Sequence, residues 1–225
     1  MLSAPLFARR TSRRTFALWI MVAIGMGNWP ALSAAIYDLE SGAGPFLRLN
    51  VPENLEIARG ILIWGNGAGG DARARATDPE LMALASSLDF AVLATSQWGN
   101  FSNSSEISIF ESALSTFANT SNHPELLNAH WLPIGFSNGG QMSFGLNALR
   151  PQKVIAFAAN KGGSYNVNSP SFPALTPPGL LIAGELDSTQ LRNAIERLFD
   201  QNRPRGARWA WVEAEAVGHS LADSL

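Results

Sequence analysis

The run Gly135-Phe136-Ser137-Asn138-Gly139 constrains this chain more than any other stretch. It follows an apolar segment, Trp131-Leu132-Pro133-Ile134, and precedes residues that read as helix, Gly140 to Leu149. Strand, G-x-S-x-G and helix in that order predict a sharp turn that lifts the serine hydroxyl clear of a sheet. The turn strains the serine backbone, and the small residues two places to either side keep neighbouring chain from colliding. The hydroxyl is left at a helix N-terminus, where amides stabilise an anion. Ser137 is therefore the candidate nucleophile. The plainer alternative is a glycine-rich strand-to-helix turn with an ordinary serine.

A hydroxyl nucleophile needs a base, and imidazole titrates in the right range. The chain has three histidines. His123 sits in a polar stretch, Thr120-Ser121-Asn122-His123-Pro124, that reads as a surface loop, and His130 stands at the wrong end of the strand feeding the elbow. His219 follows a late apolar run, Trp209-Ala210-Trp211-Val212, and is the candidate base. A base needs a carboxylate to hold its tautomer and stabilise its cation. Gly179-Leu180-Leu181-Ile182-Ala183-Gly184 reads as a buried strand running into Glu185-Leu186-Asp187. Asp187 then lies at a strand's carboxyl end, where open α/β sheets place their chemistry. It could instead cap the helix that begins near Ser188, and Glu185 is the reserve acid. The order Ser137, Asp187, His219 differs from those of the chymotrypsin and subtilisin types.

With these residues in this order, the chain from about 36 to 225 resembles the α/β-hydrolase family. A second piece of that pattern lies upstream, where Ile61-Leu62-Ile63-Trp64 runs into Gly65-Asn66-Gly67-Ala68-Gly69-Gly70-Asp71. In the family this strand commonly ends in His-Gly, and a following backbone N–H forms half of an oxyanion hole. Here asparagine replaces the histidine. The resemblance assigns one oxyanion donor to the N–H of Ala68, with Asn66 as the alternative register, and the other to the N–H of Asn138. The competing reading of the glycine-rich loop is a phosphate cradle. It lacks a G-K-[ST] ending and does not fit G-x-G-x-x-G with a distant acid.

Composition narrows the classes. At 225 residues the chain holds one good-sized core. Its 46% hydrophobic content is that of a globular protein. A formal charge of −2 gives a nucleic-acid partner no electrostatic support. There is no cysteine, hence no disulfide, thiolate metal site or cysteine nucleophile. No histidine or carboxylate cluster has metal-ligand spacing, so no metal or other cofactor is expected.

The N-terminus reads separately. Arg9, Arg10, Arg13 and Arg14 precede any acidic residue, and the apolar stretch Phe16 to Met26 leads to the small residues Ala31-Leu32-Ser33-Ala34-Ala35. This is the layout of an export signal peptide over residues 1–35. The apolar part is shorter than the ~20 residues that span a bilayer, so no stable membrane insertion is expected. Ser12-Arg13-Arg14-Thr15-Phe16-Ala17 looks like a twin-arginine signal, an arginine-rich Sec signal being the alternative. The predicted location is periplasmic or secreted. Removing residues 1–35 takes away four arginines and no acids, leaving 12 basic residues against 18 acidic, or −6.

Beyond the signal, strands and helices alternate. Strands are expected at Phe46–Val51 (antiparallel), Ile61–Trp64, Phe90–Ala94, Val154–Ala158 and the runs named above. Helices are expected from Pro79 to about Leu88, over Ser105–Phe117, and over Ser188–Asn202 with Leu191, Ile195 and Leu198 on one face. The pattern predicts a single α/β domain over 36–225, a three-layer α/β/α sandwich around a mostly parallel sheet. The family adds a helix after the histidine, whereas six residues follow His219 here. The expectation is a fold lacking that last helix, with an apolar face exposed and the histidine loop poorly held.

Residues 160–178 are rich in Gly, Ser, Asn and Pro and too short for a helical lid, which predicts an open cleft. Trp98 follows a strand end on the expected active-site side and is the candidate substrate-stacking residue, or else an aromatic closing a loop. Lys161-Gly162-Gly163-Ser164-Tyr165 follows a strand on the same side and is expected to line the cleft, with no role assigned. Among relatives, the lidless exported pattern is similar to polyhydroxyalkanoate depolymerases, feruloyl esterases and dienelactone-hydrolase-like esterases. The resemblance implies a carboxylic-ester hydrolase acting on a small-molecule or polymer ester through an acyl-enzyme. Acyl transfer or amide cleavage would use the same residues. A non-catalytic binding protein on a truncated hydrolase scaffold is the alternative from another class.

Overall fold

The computed structural model describes residues 35–40, 46–53, 55–96, 104–163, 165 and 170–221. Residues 1–34 of the export segment and Trp98 lie outside the described residues, as does the chain beyond Leu221.

Buried apolar runs of six residues form the centre of a sheet. The strands are β1 (Ala35–Glu40), β2 (Phe46–Val51), β3 (Gly60–Gly65), β4 (Phe90–Thr95), β5 (His130–Phe136), β6 (Phe157–Asn160), β7 (Gly179–Gly184) and β8 (Trp209–Ala214). Their order across the sheet is β1-β2-β4-β3-β5-β6-β7-β8. β1 and β2 run antiparallel to their neighbours, and every other pairing is parallel. β3 and β4 are buried along their whole length, as central parallel strands covered on both faces must be.

The helices are α1 (Pro79–Ser87), α2 (Ser104–Thr120), α3 (Asn138–Leu149) and α4 (Thr189–Asn202). Asp78 caps α1 by accepting from the N–H groups of Glu80 and Leu81, with proline at the first position. One core gathers alternate sheet residues such as Ile61, Ile63 and Leu93 with Phe110 and Phe117 of α2, Met142 and Phe144 of α3, and Ile195 and Leu198 of α4. The opposite face, Leu62, Trp64, Val92 and Ala94, packs with Ala85 of α1. The result is the expected three-layer α/β/α sandwich. The α1 face is covered less completely toward β8, where Val212 is 46% exposed.

Two elements differ from expectation. β6 begins at Phe157, not Val154, and runs on to Asn160. Val154 makes only an isolated bridge to Trp131, because its N–H closes a turn onto Pro151 and the next residue, Ile155, is exposed. β1 was hidden in the sequence beside the small residues of the export signal. It pairs with β2 over all six of its residues.

Candidate active site

The elbow forms where β5 hands over to α3. Ser137 takes φ 54° and ψ −116°, a conformation an L-residue adopts only when its surroundings impose it. The constraint comes from both sides. The Ser137 N–H donates to the Asn160 carbonyl of β6 at 2.8 Å, and the Ser137 carbonyl accepts from the Gln141 N–H at 3.0 Å. A Cβ on Gly135 would collide with the Gly139 carbonyl, so the turn closes only with glycine there.

Three side chains from three loops meet at this turn. Ser137 Oγ lies 2.9 Å from His219 Nε2. His219 Nδ1 lies 2.7 Å from Asp187 Oδ2. A carboxylate only accepts, so Nδ1 carries the proton and Nε2 presents its lone pair to the serine hydroxyl. The other carboxylate oxygen of Asp187 accepts the Ser188 N–H at 2.7 Å, and its side chain is 3% exposed against 36% for His219. The carboxylate is thus fixed and shielded while the imidazole stays reachable. The Phe136 ring packs 5.1 Å from the imidazole and limits its tilt.

The helix-capping alternative for Asp187 gives way to Ser188, which accepts from the Leu191 N–H. Glu185 points elsewhere: its Oε2 accepts the Ala216 N–H at 2.7 Å and ties down the loop that leads to His219. That loop is further held by Glu185 N–H to the Ala214 carbonyl and Leu186 N–H to the Val217 carbonyl. The expectation of a poorly held histidine loop is corrected by these bonds, which come from the end of β7.

The loop after β3 abuts the elbow. Asn66 uses its carbonyl to accept the Gly139 N–H at 2.8 Å and its side-chain oxygen to accept the Gly67 N–H at 2.9 Å. The Gly70 N–H closes a turn onto the Gly67 carbonyl. Among the described residues the Ala68 N–H has no partner. A cavity lined by Trp64, Asn66, Asp71, Arg75 and Leu221 opens beside this loop.

The other candidates go elsewhere. His123 pairs with Glu125 at 2.7 Å, and His130 is the exposed first residue of β5, at the opposite end from Ser137. Lys161 and Tyr165 were expected to line the cleft, yet both side chains are buried. Tyr165 packs on Phe144, and burial pushes its hydroxyl well above the usual phenol range. Among the described residues, no group of three or more His, Asp or Glu side chains is placed to hold a metal ion, and no helix is long and apolar enough to cross a membrane.

No protein-family model matches the sequence, and no curated protein matches it significantly. Solved structures do match. A ferulic acid esterase superposes with a TM-score of 0.63 at 12% identity, over 83% of this chain and 91% of that one. Poly(aspartic acid) hydrolase-1 from Sphingomonas sp. KT-1 gives 0.60 at 14%, over 83% and 93%. A dienelactone hydrolase from Anabaena variabilis gives 0.56 at 18%, over 87% and 91%. The sheet order, the strained elbow and these neighbours define one class: the chain has the α/β-hydrolase fold.

Proposed function

We propose that the protein is an exported serine hydrolase that cleaves carboxylic esters. The observation that carries this reading is the unbroken hydrogen-bonded chain from Asp187 through His219 to Ser137, 2.7 Å and 2.9 Å, at a strained elbow. Ser137 Oγ attacks the ester carbonyl while His219 Nε2 takes its proton. Asp187 holds the imidazole and stabilises the imidazolium. His219 then protonates the leaving alcohol, and the acyl group stays on Ser137. Water attacks that acyl-enzyme with His219 again as base, and the acid departs.

The oxyanion would sit between the backbone N–H groups of Asn138 and Ala68. The Ala68 N–H, without a partner among the described residues, supports that register. One such donor is worth about 3 kcal/mol in the transition state. The arginine-rich, apolar, small-residue start supports export, by the twin-arginine route, to the periplasm or beyond. Esters of small molecules or of polymers are the substrates that the structural neighbours suggest.

Labelling the purified chain with a fluorophosphonate, with the adduct mapped by mass spectrometry, tests the reading. An adduct on Ser137 is expected, lost in Ser137→Ala and in His219→Ala. A folded chain that takes no adduct would exclude the hydrolase and favour a binding role. Parallel assays of esters, anilides and alcoholysis separate ester hydrolysis from amide cleavage and acyl transfer by the same residues.

A further inference from the structure

We propose that Lys161 is a positioning residue for His219: its ammonium, donated to the Ser220 carbonyl at 3.0 Å, pins the loop carrying the imidazole to the end of β6. The inference rests on the ester-hydrolase reading above. Lys161 is one of two lysines in the chain and is fully buried. A buried ammonium is costly unless acceptors meet its protons. Here it reaches the Ser220 carbonyl and, more distantly, Asn160 Oδ1 at 3.4 Å. An apolar side chain of similar length would fill the same space without that cost, so packing alone does not account for a lysine.

The surroundings are shaped to this side chain. Lys161 sits at φ 51°, and its N–H donates to the Ile182 carbonyl of β7 at 2.7 Å, which fixes where the side chain starts. Gly184 leaves room for it, since a Cβ there would stand 2.9 Å from Lys161 Cε. Burial draws the ammonium below the usual lysine range, while the Asp187 carboxylate acts in the opposite direction. Asp187 is the charged group that acts on it. Asn160 and Ser220 supply neutral oxygens, and Gly184 of β7 presents no side chain to it. The ammonium therefore lies at the Ser220 carbonyl, one residue along the chain from His219, with the Asp187 carboxylate near enough to act on its charge. It anchors the loop that carries the base.

Lys161→Met keeps the length of the side chain and removes the ammonium. Parent and variant are compared for fluorophosphonate labelling and p-nitrophenyl ester hydrolysis across pH, with the unfolding temperature measured in parallel. The variant's labelling rate and kcat are expected to fall on the order of 100-fold, the effect of displacing a reacting group by about 1 Å. KM should stay within about twofold, and the acid limb of the pH profile should move upward, because losing a nearby cation eases protonation of His219. A folded variant with the parent's rates, or a slower one with an unmoved acid limb, overturns the proposal.

A second measurement needs no change at Lys161. With two lysines, ¹⁵Nζ labelling gives two ammonium signals, and Lys153→Arg assigns them. The Lys161 signal is expected to shift as His219 titrates and again when Ser137 is phosphonylated. A signal indifferent to both overturns the proposal whatever the fate of Lys161→Met. A parent chain that takes no adduct would instead sink the hydrolase reading, so the two failures are distinct.

Discussion

Gly139 of the elbow and Gly65 at the end of β3 touch backbone to backbone. A Cβ on Gly139 would collide with the Gly65 carbonyl and stand 2.8 Å from the Asn66 nitrogen. The contact, closed by the hydrogen bond from Gly139 N–H to the Asn66 carbonyl, sets the distance between the two loops that would share the oxyanion.

Gly139→Ala should therefore damage stability and chemistry together. Backbone cannot swing aside as a side-chain tip can, so the overpacking cost should reach about 3 kcal/mol. Urea unfolding followed by tryptophan fluorescence reads the stability, and fluorophosphonate labelling reads the site. A loss under about 0.5 kcal/mol with full labelling would show that the two loops separate freely.

Asp187 and Glu185 both sit in the turn after β7, and substitution tells them apart. Asp187→Asn leaves the shape intact but turns the imidazole to the wrong tautomer, and kcat should fall about 10⁴-fold. Glu185→Gln keeps an acceptor for the Ala216 N–H and should cost less than about threefold, while Glu185→Ala loosens the loop and should cost about tenfold. Ester turnover at saturating substrate gives all three. A collapse of kcat in Glu185→Gln would transfer the acid's role.

Much of this was legible in the sequence, for a physical reason: the elbow, a strand running into the turn that carries Asp187 and a strand ending before His219 are local patterns. Ser137, Asp187 and His219 could be named because each lies within five residues of a strand end, and a parallel sheet brings such ends together. β6 was misplaced because its boundary depends on distant partners. Asn160 and Lys161 look like loop residues, yet the Asn160 carbonyl is needed by Ser137 and the Lys161 ammonium by Ser220. A polar residue buried to serve a neighbour 23 or 59 positions away leaves no periodic trace. The bracing by Glu185 was equally invisible, since its partner is a backbone amide 31 residues on.

Ala216, in the loop before His219, has φ 59°. A left-handed alanine costs on the order of 1 kcal/mol that glycine would not. Ala216→Gly should raise stability by about 0.5 kcal/mol once the extra freedom of glycine in the unfolded chain is offset. Glu185 still meets the same N–H, so turnover should hold within about twofold. Denaturant midpoints and kcat measured side by side check this. A destabilised variant would mean that the Ala216 methyl makes a contact worth more than the strain.

The edge pair Asp38–Arg48 makes the pH dependence readable. The residues face each other across β1 and β2, and Arg48 Nε and a terminal nitrogen reach both carboxylate oxygens at 2.8 and 2.7 Å. The hydrogen bonds from Arg48 hold the Asp38 carboxyl below the usual carboxylate range, against a smaller opposing effect of burial. A lowered folded-state value means that the pair's contribution is complete above the unfolded pKa of about 4. It is lost as pH falls through the folded value. The pair is partly exposed, which places its worth at about 0.5 kcal/mol, less in high salt. Asp38→Asn should thus be slightly less stable than the parent at pH 7, and the gap should narrow toward pH 2 as the Asp38 carboxylate takes up its proton. Urea unfolding at the two pH values tests the sign. A difference that persists unchanged at pH 2 would show that Asp38 acts through packing on the β1 edge and not through its charge.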